Sequence, residues 1–491
     1  MWRWAALIVA GSSLFAQTAG MVRSAAVTFR AQRDSARLSQ AQRREAERLE
    51  LEAQQETRAG RWGEALRRYA HAIAAVRGAP WTPAVEFAAS LDARVDHVLL
   101  APGGPVTLSL ASLFPVAYNN DLIASVFLAP AGENGAPEQA LAQGARLESL
   151  TVALTTRLTI PQTLPGNYLL VVRLALPDNS NVPDAMRDTF EKRLPVHIES
   201  LSAEVEGLRV RLSQALPQDT AALAAAQYTL QFVQRVDRGE EGLRRYAAYP
   251  FHQELARANA ILDDLEAGRD PLAGHRGDLH RAYRSSVDGT LQPYRLFIPD
   301  SYDKARPASL LVALHGAGGD ENDFFDGYAQ APLKPEAQRV GFVVVCPKGR
   351  EPNSGYRGAA ERDVFDVMAE VQRDYRIDPA RIFLMGHSMG AFAAWRLAIA
   401  HPDIFAALGP ISGGGDPAGM VKIRHIPQYV VHGGKDDTVP VTQSRAMVEA
   451  GRKAGATIVY IEAPDAGHYE AALGQFGPML DFFARQVKAS R

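Results

Sequence analysis

Short apolar runs alternate with amphipathic segments through the C-terminal part of the chain. Six runs have the length and apolar content of buried strands, at residues 310–314, 342–346, 382–385, 408–411, 429–431 and 457–461. Four segments carry apolar residues at helical spacing, at residues 361–374, 391–400, 442–454 and 469–488. A turn at Asp288-Gly289 joins two further strands, 281–287 and 292–298, into a hairpin. Alternating strands and helices predict a mostly parallel sheet that helices cover on both faces.

The pattern upstream of this α/β region is different. Residues 21–82 are rich in Ala, Arg, Glu and Gln and are predicted to form a helical hairpin. Within it, residues 60–80 resemble one tetratricopeptide-like unit. Stable arrays need about three such repeats, so a hairpin that packs on its neighbour is favoured over a peptide-binding repeat. Residues 201–273 return to helical spacing and predict a linker or a small bundle.

Residues 83–200 predict short strands separated by Pro, Gly and Asn, which favours an immunoglobulin-like β-sandwich. The predicted strands are residues 85–89, 95–100, 106–110, 122–128, 154–160, 168–176 and 194–198. The predicted domain order is therefore a helical hairpin, a β-sandwich, a helical linker and, from residue 274 to residue 491, a catalytic domain.

The N-terminal twenty residues are typical of a signal peptide. Arg3 precedes an apolar stretch over residues 4–15, and small residues follow, so cleavage after Ala16 is expected. The stretch is short for a membrane span, although an uncleaved anchor is the alternative. We therefore expect a secreted or periplasmic bacterial protein, with no stable membrane insertion once the signal is removed.

Composition narrows the function classes. A chain of 491 residues exceeds one ordinary core, and a net charge of −2 argues against binding to nucleic acid or to an anionic membrane. The single cysteine, Cys346, excludes disulfides within the chain and zinc sites built on several cysteines. It follows an apolar run and is expected to be buried in a strand. We expect neither a cofactor nor a metal.

The most informative motif is Gly386-His387-Ser388-Met389-Gly390. It follows a predicted strand and opens a predicted helix, which is the context of a nucleophile elbow. Such a turn strains the serine backbone and exposes its hydroxyl above the edge of the sheet. Side chains at the two glycines would collide with the neighbouring strand and helix. Ser388 is therefore the candidate nucleophile.

A second glycine-rich loop, residues 315–319, follows the predicted strand 310–314. Its backbone N–H groups could join that of Met389 in an oxyanion hole, with Ala317 as first choice and Gly316 as second. A plain glycine turn is the alternative.

The remaining triad members follow from chain order. Enzymes with this elbow place the acid after the serine and the histidine last. Asp436 lies directly after the predicted strand 429–431, with Asp437 as its rival, and His468 is the only histidine that follows. A solvated turn acid and a surface histidine are the alternatives. The candidate catalytic residues are Ser388, Asp436 and His468.

Residues 276–491 resemble the α/β-hydrolase superfamily. They are similar to secreted feruloyl and acetyl-xylan esterases and to polyhydroxybutyrate-depolymerase-like proteins, which are grouped with prolyl-oligopeptidase-like hydrolases. The residues that carry the resemblance are 288–302, 314–319, 374–390, Trp395, 432–440 and 467–468. Depolymerase-like members often have a cysteine in the oxyanion loop where this chain has Ala317, which weakens that substrate assignment.

The resemblance implies a secreted serine esterase that needs no cofactor. Its expected substrates are small or polymer-attached esters with short acyl or hydroxycinnamoyl groups, including esters on polysaccharide. Candidate pocket residues lie on loops above the sheet edge, although ordinary loop packing would also explain them: Phe324, Phe325, Tyr356 and Arg357. The rival functions are a prolyl-oligopeptidase-like peptidase and an inactive binding or scaffold protein.

Overall fold

The computed structural model describes residues 18–116, 122–132, 137–147, 154–176, 184–214, 220–243, 249–269, 271, 275–328 and 332–488. The chain forms two compact units. The first contains Met1–Gly207 and Phe232–His252, and the second contains Leu208–Gln231 and Gln253–Arg491. The predicted cleavage after Ala16 lies outside the described residues.

Three helices open the first unit: α1 (Ala19–Ser35), α2 (Gln40–Arg58) and α3 (Trp62–Val76). They share an apolar core that includes Phe29, Leu49 and Tyr69. A hairpin was the expectation here, but the structure has a third helix, because Ser39 forms a capping box with Gln42 and begins α2 separately from α1. The tetratricopeptide-like identity stays a prediction.

The rest of the first unit is mainly β-structure preceded by a short helix, α4 (Pro83–Ser90). The strands are β1 (Leu91–Val95), β2 (Leu99–Leu100), β3 (Pro105–Ser112), β4 (Leu122–Pro130), β5 (Gln139–Leu147), β6 (Leu154–Thr159), β7 (Gly166–Ala175) and β8 (Glu191–Ile198). They form a three-stranded sheet, β1-β3-β6, and a five-stranded sheet, β2-β8-β7-β4-β5. Both sheets contribute to one apolar core. The immunoglobulin-like identity of this layer stays a prediction.

Two predictions for this region are wrong, and one strand was not predicted. The expected strand at 85–89 is helix α4, because Thr82 accepts the Val85 N–H as an N-cap and Pro83 occupies the first turn. The expected strand at 95–100 is divided between β1 and β2. Strand β5 was not predicted, because its sequence, QALAQGARL, is poor in β-branched and aromatic residues.

Three helices follow the strands of the first unit: α5 (Ser202–Gln214), α6 (Ala221–Asp237) and α7 (Phe251–Glu266). Their residues are divided between the two units. Within the part of the chain that the structure describes, no helix is both long enough and apolar enough to cross a membrane.

The second unit is built on one sheet of eight strands. These are β9 (Gly277–Arg284), β10 (Leu291–Ile298), β11 (Ala308–Leu314), β12 (Val343–Pro347), β13 (Ile377–His387), β14 (Ala407–Ile411), β15 (Gln428–Gly433) and β16 (Ile458–Ala463). Their order is β16-β15-β14-β13-β11-β12-β10-β9. The pairings of β10 are antiparallel and the others are parallel. The sheet confirms the predicted mostly parallel architecture.

Helices cover both faces of this sheet. They are α8 (Leu333–Val340), α9 (Ala359–Asp374), α10 (Met389–Ala400), α11 (Thr442–Lys453) and α12 (Phe476–Ala484). Side chains of α9, α10 and α11 join one core, and those of α8 and α12 join the other. Within β11, Leu310 and Val312 point into the first core, and Leu311 points into the second. This two-sided burial explains why the strand sequences are apolar without alternation. Cys346 is buried in β12, as expected.

The C-terminal helix is shorter than predicted. Residues 469–488 were expected to form one helix, but the structure has a single turn over Glu470–Ala472 and then α12. Gly474 lies between them with a φ of 71°, a left-handed conformation that interrupts a helix. The segment that carries Phe324 and Phe325, which was expected to be a loop, contains a helical turn over Asp323–Gly327.

The connection from β13 to α10 requires very close backbone contact. A Cβ atom on Gly386 would lie 2.3 Å from the carbonyl carbon of Gly390. A Cβ atom on Gly390 would lie 2.0 Å from the carbonyl oxygen of Leu314 in β11. Both glycines therefore permit α10 to start directly against two strands of the sheet.

We expect Gly390→Ala to destabilise the second unit strongly. The new methyl group would meet backbone atoms, which cannot move aside without separating α10 from β11. Overpacking costs about 1–3 kcal/mol and occasionally more, and backbone contacts this short favour the upper end of that range. Denaturant unfolding followed by circular dichroism measures the loss. Gly207→Ala is the control, because nothing lies within 4 Å of the added Cβ atom. A Gly390→Ala protein as stable as this control would contradict the close-approach argument.

Candidate active site

Ser388 lies at the turn between β13 and α10. Its φ and ψ are 52° and −117°, a conformation that side-chain-bearing residues rarely adopt. Its N–H donates to the carbonyl of Ile411 at the end of β14, with an N···O distance of 2.9 Å. The residue is half-buried, whereas its strand neighbours are buried. The structure thus places a strained, accessible serine at the carboxyl edge of the sheet, where ligands of such sheets bind.

The glycine loop after β11 passes beside this serine. A Cβ atom on Gly316 would lie 3.5 Å from the Cβ atom of Ser388 and 3.1 Å from Nδ1 of His387. The loop forms a turn in which the Gly319 N–H donates to the Gly316 carbonyl at 3.1 Å. Ala317 lies within that turn. Met389 begins α10, where the first N–H groups have no acceptor within the helix. Both predicted oxyanion segments therefore flank Ser388.

Asp436 and His468 are in direct contact. Oδ2 of Asp436 lies 2.7 Å from Nδ1 of His468. The Asp436 side chain is fully buried, and that of His468 is 6% exposed. Asp437 is exposed, and its carboxylate accepts from the Thr438 hydroxyl at 3.2 Å. The geometry therefore places Asp436, and not its neighbour, beside the imidazole.

Several donors stabilise the ionised form of Asp436. Its Oδ1 accepts the N–H groups of Thr438 at 2.9 Å and Val439 at 2.8 Å. Burial opposes ionisation, but the hydrogen bonds from His468 and these two N–H groups outweigh it and lower the pKa of Asp436. The carboxylate is thus charged at neutral pH and can orient the imidazole.

His432 is a further neighbour of the acid that sequence reasoning did not assign. Its Nε2 lies 3.2 Å from Oδ2 of Asp436 and 2.9 Å from the Val439 carbonyl. Its Nδ1 lies 2.7 Å from the Ser444 hydroxyl, and burial lowers the pKa of His432. The sequence offered a signal for this contact, because His432 lies four residues before Asp436, at the end of β15.

Aromatic side chains surround the imidazole of His468. The ring of Tyr469 packs edge-on against it, with 5.2 Å between ring centroids. Tyr469 also lies 5.0 Å from the ring of His387 and 6.1 Å from that of Tyr328. Although it contacts three rings, Tyr469 is 59% exposed. It presents an aromatic surface to solvent directly beside the imidazole.

Three of the four predicted pocket residues are buried in the hydrophobic cores on the two faces of the sheet. Phe324 and Phe325 belong to one core of the sheet and Tyr356 to the other, and each is at most 1% exposed. The prediction that these three rings line a substrate pocket is therefore wrong, because the turn over Asp323–Gly327 and the positive φ of Tyr356 direct them inward. Arg357 is exposed.

Comparisons with known proteins agree with this architecture. Residues 311–426 match the model of the alpha/beta hydrolase family. The probable feruloyl esterase C of Aspergillus flavus is 31% identical over 156 residues, which are 30% of this chain and 56% of that protein. The bifunctional acetylxylan esterase/xylanase of Neocallimastix patriciarum is 31% identical over 27% of this chain and 20% of its own length. The chain thus spans about half the length of the feruloyl esterases it matches.

Among solved structures, a thermostable esterase aligns with 80% of this chain and 99% of its own, at 17% identity and a TM-score of 0.39. Residues 311–426 of the second unit are similar to the alpha/beta hydrolase family. The eight-stranded, mostly parallel sheet and the strand-turn-helix at Ser388 give this unit the fold expected from that similarity.

Proposed function

We propose that the chain is a serine esterase that hydrolyses carboxylic esters through an acyl-enzyme. The observation that carries the proposal is the 2.7 Å contact between Asp436 and His468 at the same sheet edge as the strained Ser388. In this proposal Ser388 is the nucleophile, His468 is the general base and then the general acid, and Asp436 orients the imidazole.

The proposed chemistry follows from the protonation states. Asp436 accepts the Nδ1–H of His468, which leaves a lone pair on Nε2. Nε2 takes the Ser388 proton as Oγ bonds to the ester carbonyl carbon, and the N–H groups of Met389 and Ala317, or Gly316, receive the oxyanion. The protonated imidazole then donates to the alcohol oxygen as the C–O bond breaks. Water activated by His468 hydrolyses the acyl-enzyme and restores the serine.

The substrate class is proposed from the relatives and from one surface residue. Two of the relatives are named as a probable feruloyl esterase and as a bifunctional acetylxylan esterase/xylanase. In this chain the exposed ring of Tyr469 lies beside His468, where the acyl or alcohol part of a substrate would pass. We therefore infer short acyl or hydroxycinnamoyl esters, small or attached to polysaccharide.

We also propose that the protein is exported to the periplasm or the medium. The support is the apolar N-terminal stretch after Arg3. N-terminal sequencing of the mature protein after expression in a bacterial host tests this, and a chain that retains residues 1–16 would contradict the proposed cleavage.

Ser388→Ala should abolish ester turnover and labelling by a fluorophosphonate, because the mutation removes the attacking oxygen. The test panel contains p-nitrophenyl acetate, butyrate and octanoate, methyl ferulate, acetylated xylan and a prolyl anilide. Ser301→Ala is the control, since Ser301 is exposed. Turnover of the anilide alone would favour a peptidase, and no turnover or labelling in the wild type would favour a binding protein.

Asp436→Asn should lower kcat by about 10³–10⁴-fold, because asparagine stabilises the wrong tautomer of the imidazole and not its charged form. Asp437→Asn is the matched control and should leave kcat near that of the wild type, since its side chain faces solvent. Steady-state kinetics on p-nitrophenyl butyrate separates the two. The reverse order of effects would assign the acid to Asp437.

Tyr469→Ala should lower kcat/KM for methyl ferulate between about 2-fold and 10-fold more than for p-nitrophenyl acetate, because a ring pair contributes about 0.5–1.5 kcal/mol. Tyr469→Phe retains the ring and should restore the ratio. Leu473→Ala, which removes another exposed apolar side chain, is the control. Equal losses on both substrates would show that Tyr469 supports His468 and not the substrate.

A further inference from the structure

His468 lies on a segment without regular secondary structure. Strand β16 ends at Ala463, and the next helical turn starts at Glu470. The turn before His468 packs tightly on the end of β15, because a Cβ atom on Gly433 would lie 2.3 Å from the Gly467 carbonyl oxygen. Asp436 holds the imidazole at Nδ1. One hydrogen bond to a ring does not by itself fix the backbone that carries it, so the main chain of His468 needs its own support.

The carbonyl oxygen of His468 receives two side-chain donors. The Ser412 hydroxyl donates to it with an O···O distance of 3.0 Å, and Nε2 of His387 donates to it with an N···O distance of 3.1 Å. Both donors are buried, at 0% and 1% exposure. They come from the ends of two neighbouring parallel strands, β14 and β13. Two side chains at the sheet edge thus hold the backbone of His468 through its carbonyl oxygen.

The backbone conformation of Ser412 is unusual. Its φ is 51°, in the left-handed region that costs a residue with a side chain about 1–3 kcal/mol. Its N–H donates to the Val431 carbonyl of β15 at 2.9 Å. Ser388 has a φ of 52° at the end of the adjacent strand. A serine with a positive φ therefore follows or ends each strand at this edge, and the hydroxyl of Ser412 donates to the His468 carbonyl.

His387 has the protonation state that it needs to donate a hydrogen bond without carrying a charge. Burial lowers the pKa of His387 to about 4, even though its hydrogen bond to the His468 carbonyl favours the charged form. The imidazole is thus neutral at pH 7 and has one N–H, which Nε2 uses toward the carbonyl. Its ring centroid lies 4.7 Å from that of His468. His387 therefore holds the carbonyl of His468 without adding a positive charge beside the His468 imidazole.

We propose that Ser412 and His387 are positioning residues that clamp the carbonyl of His468 and so keep its imidazole in register with Ser388 and Asp436. The proposal rests on the proposed esterase function. Neither residue exchanges a proton with the substrate; both act through the backbone of His468. Loss of the clamp lets the imidazole shift, and a displacement of about 1 Å costs about 10²-fold in rate.

Ser412→Ala and Ser412→Gly test the hydroxyl. Both should lower kcat on p-nitrophenyl butyrate by about 10-fold to 100-fold with little change in KM, because the interaction matters in the transition state and not in substrate binding. The rate of fluorophosphonate labelling should fall by the same factor. Ser90→Ala is the matched control, because Ser90 is also fully buried and donates to a carbonyl, that of Phe87 at 2.8 Å, away from the site.

The pair of Ser412 variants separates the clamp from backbone strain. Glycine adopts a φ of 51° without cost and alanine does not, but both lack the hydroxyl. Similar kcat losses in the two variants support the clamp. Wild-type kcat in Ser412→Gly would overturn it. A loss explained wholly by a smaller folded fraction, measured by circular dichroism and active-site titration, would overturn it as well.

His387→Phe tests the second donor, since it keeps a ring of similar size against His468 and removes the N–H. We expect a kcat loss of the same order as in Ser412→Ala and losses that are not additive in the double mutant, because both donors share one acceptor. Additive losses would mean that the two residues act separately and would overturn the clamp.

A spectroscopic readout separates this proposal from the proposed function. The Nδ1 proton that His468 shares with Asp436 should give a sharp low-field proton resonance in the wild type, which broadens or shifts in Ser412→Gly. An unchanged resonance would overturn the clamp. A wild type without ester turnover or labelling would reject the esterase function, and the resonance would then decide the clamp alone.

Discussion

Direct backbone contact at the carboxyl edge of the sheet is the constraint on which the rest of the site depends. Gly390 allows α10 to contact the Leu314 carbonyl of β11. Gly386 allows the end of β13 to lie against the backbone of Gly390 in α10. The turn that results forces Ser388 into its strained conformation. It also brings the first N–H groups of α10 beside the glycine loop at Gly316. One steric requirement thus sets the positions of both the proposed nucleophile and the predicted oxyanion hole.

The polar groups around this edge divide into a buried set and an exposed one. Asp436, His468 and His432 are almost excluded from water, and several donors satisfy the carboxylate. Hydrogen bonds to a charged group are stronger in such surroundings, and the same surroundings make an unpaired charge costly. Ser388 and Tyr469 retain contact with solvent. In the proposed esterase, a substrate would therefore meet an accessible serine beside an acid and an imidazole that are already held in place.

The sequence predicted those elements in which the apolar pattern and the flanking residues indicate the same structure. The strands of the second unit, the turn at Ser388 and the proximity of Asp436 to His468 were all expected, because buried parallel strands are continuous apolar runs and chain order restricts the triad. The predictions failed where a local turn decides the outcome. Helix α4 depends on the Thr82 cap, and the interruption before α12 depends on Gly474.

The sequence alone determined the α/β class and indicated the elbow at Ser388 and the candidate base His468, since each depends on a local motif or on residue order. It favoured Asp436 and kept Asp437 as its rival, and only the tertiary structure placed one against the imidazole and the other in solvent. It also could not exclude Phe324, Phe325 and Tyr356 from a pocket or reveal Ser412 and His387 at the His468 carbonyl. These outcomes depend on which strand ends meet, and contacts between residues far apart in the chain leave no pattern in a single sequence.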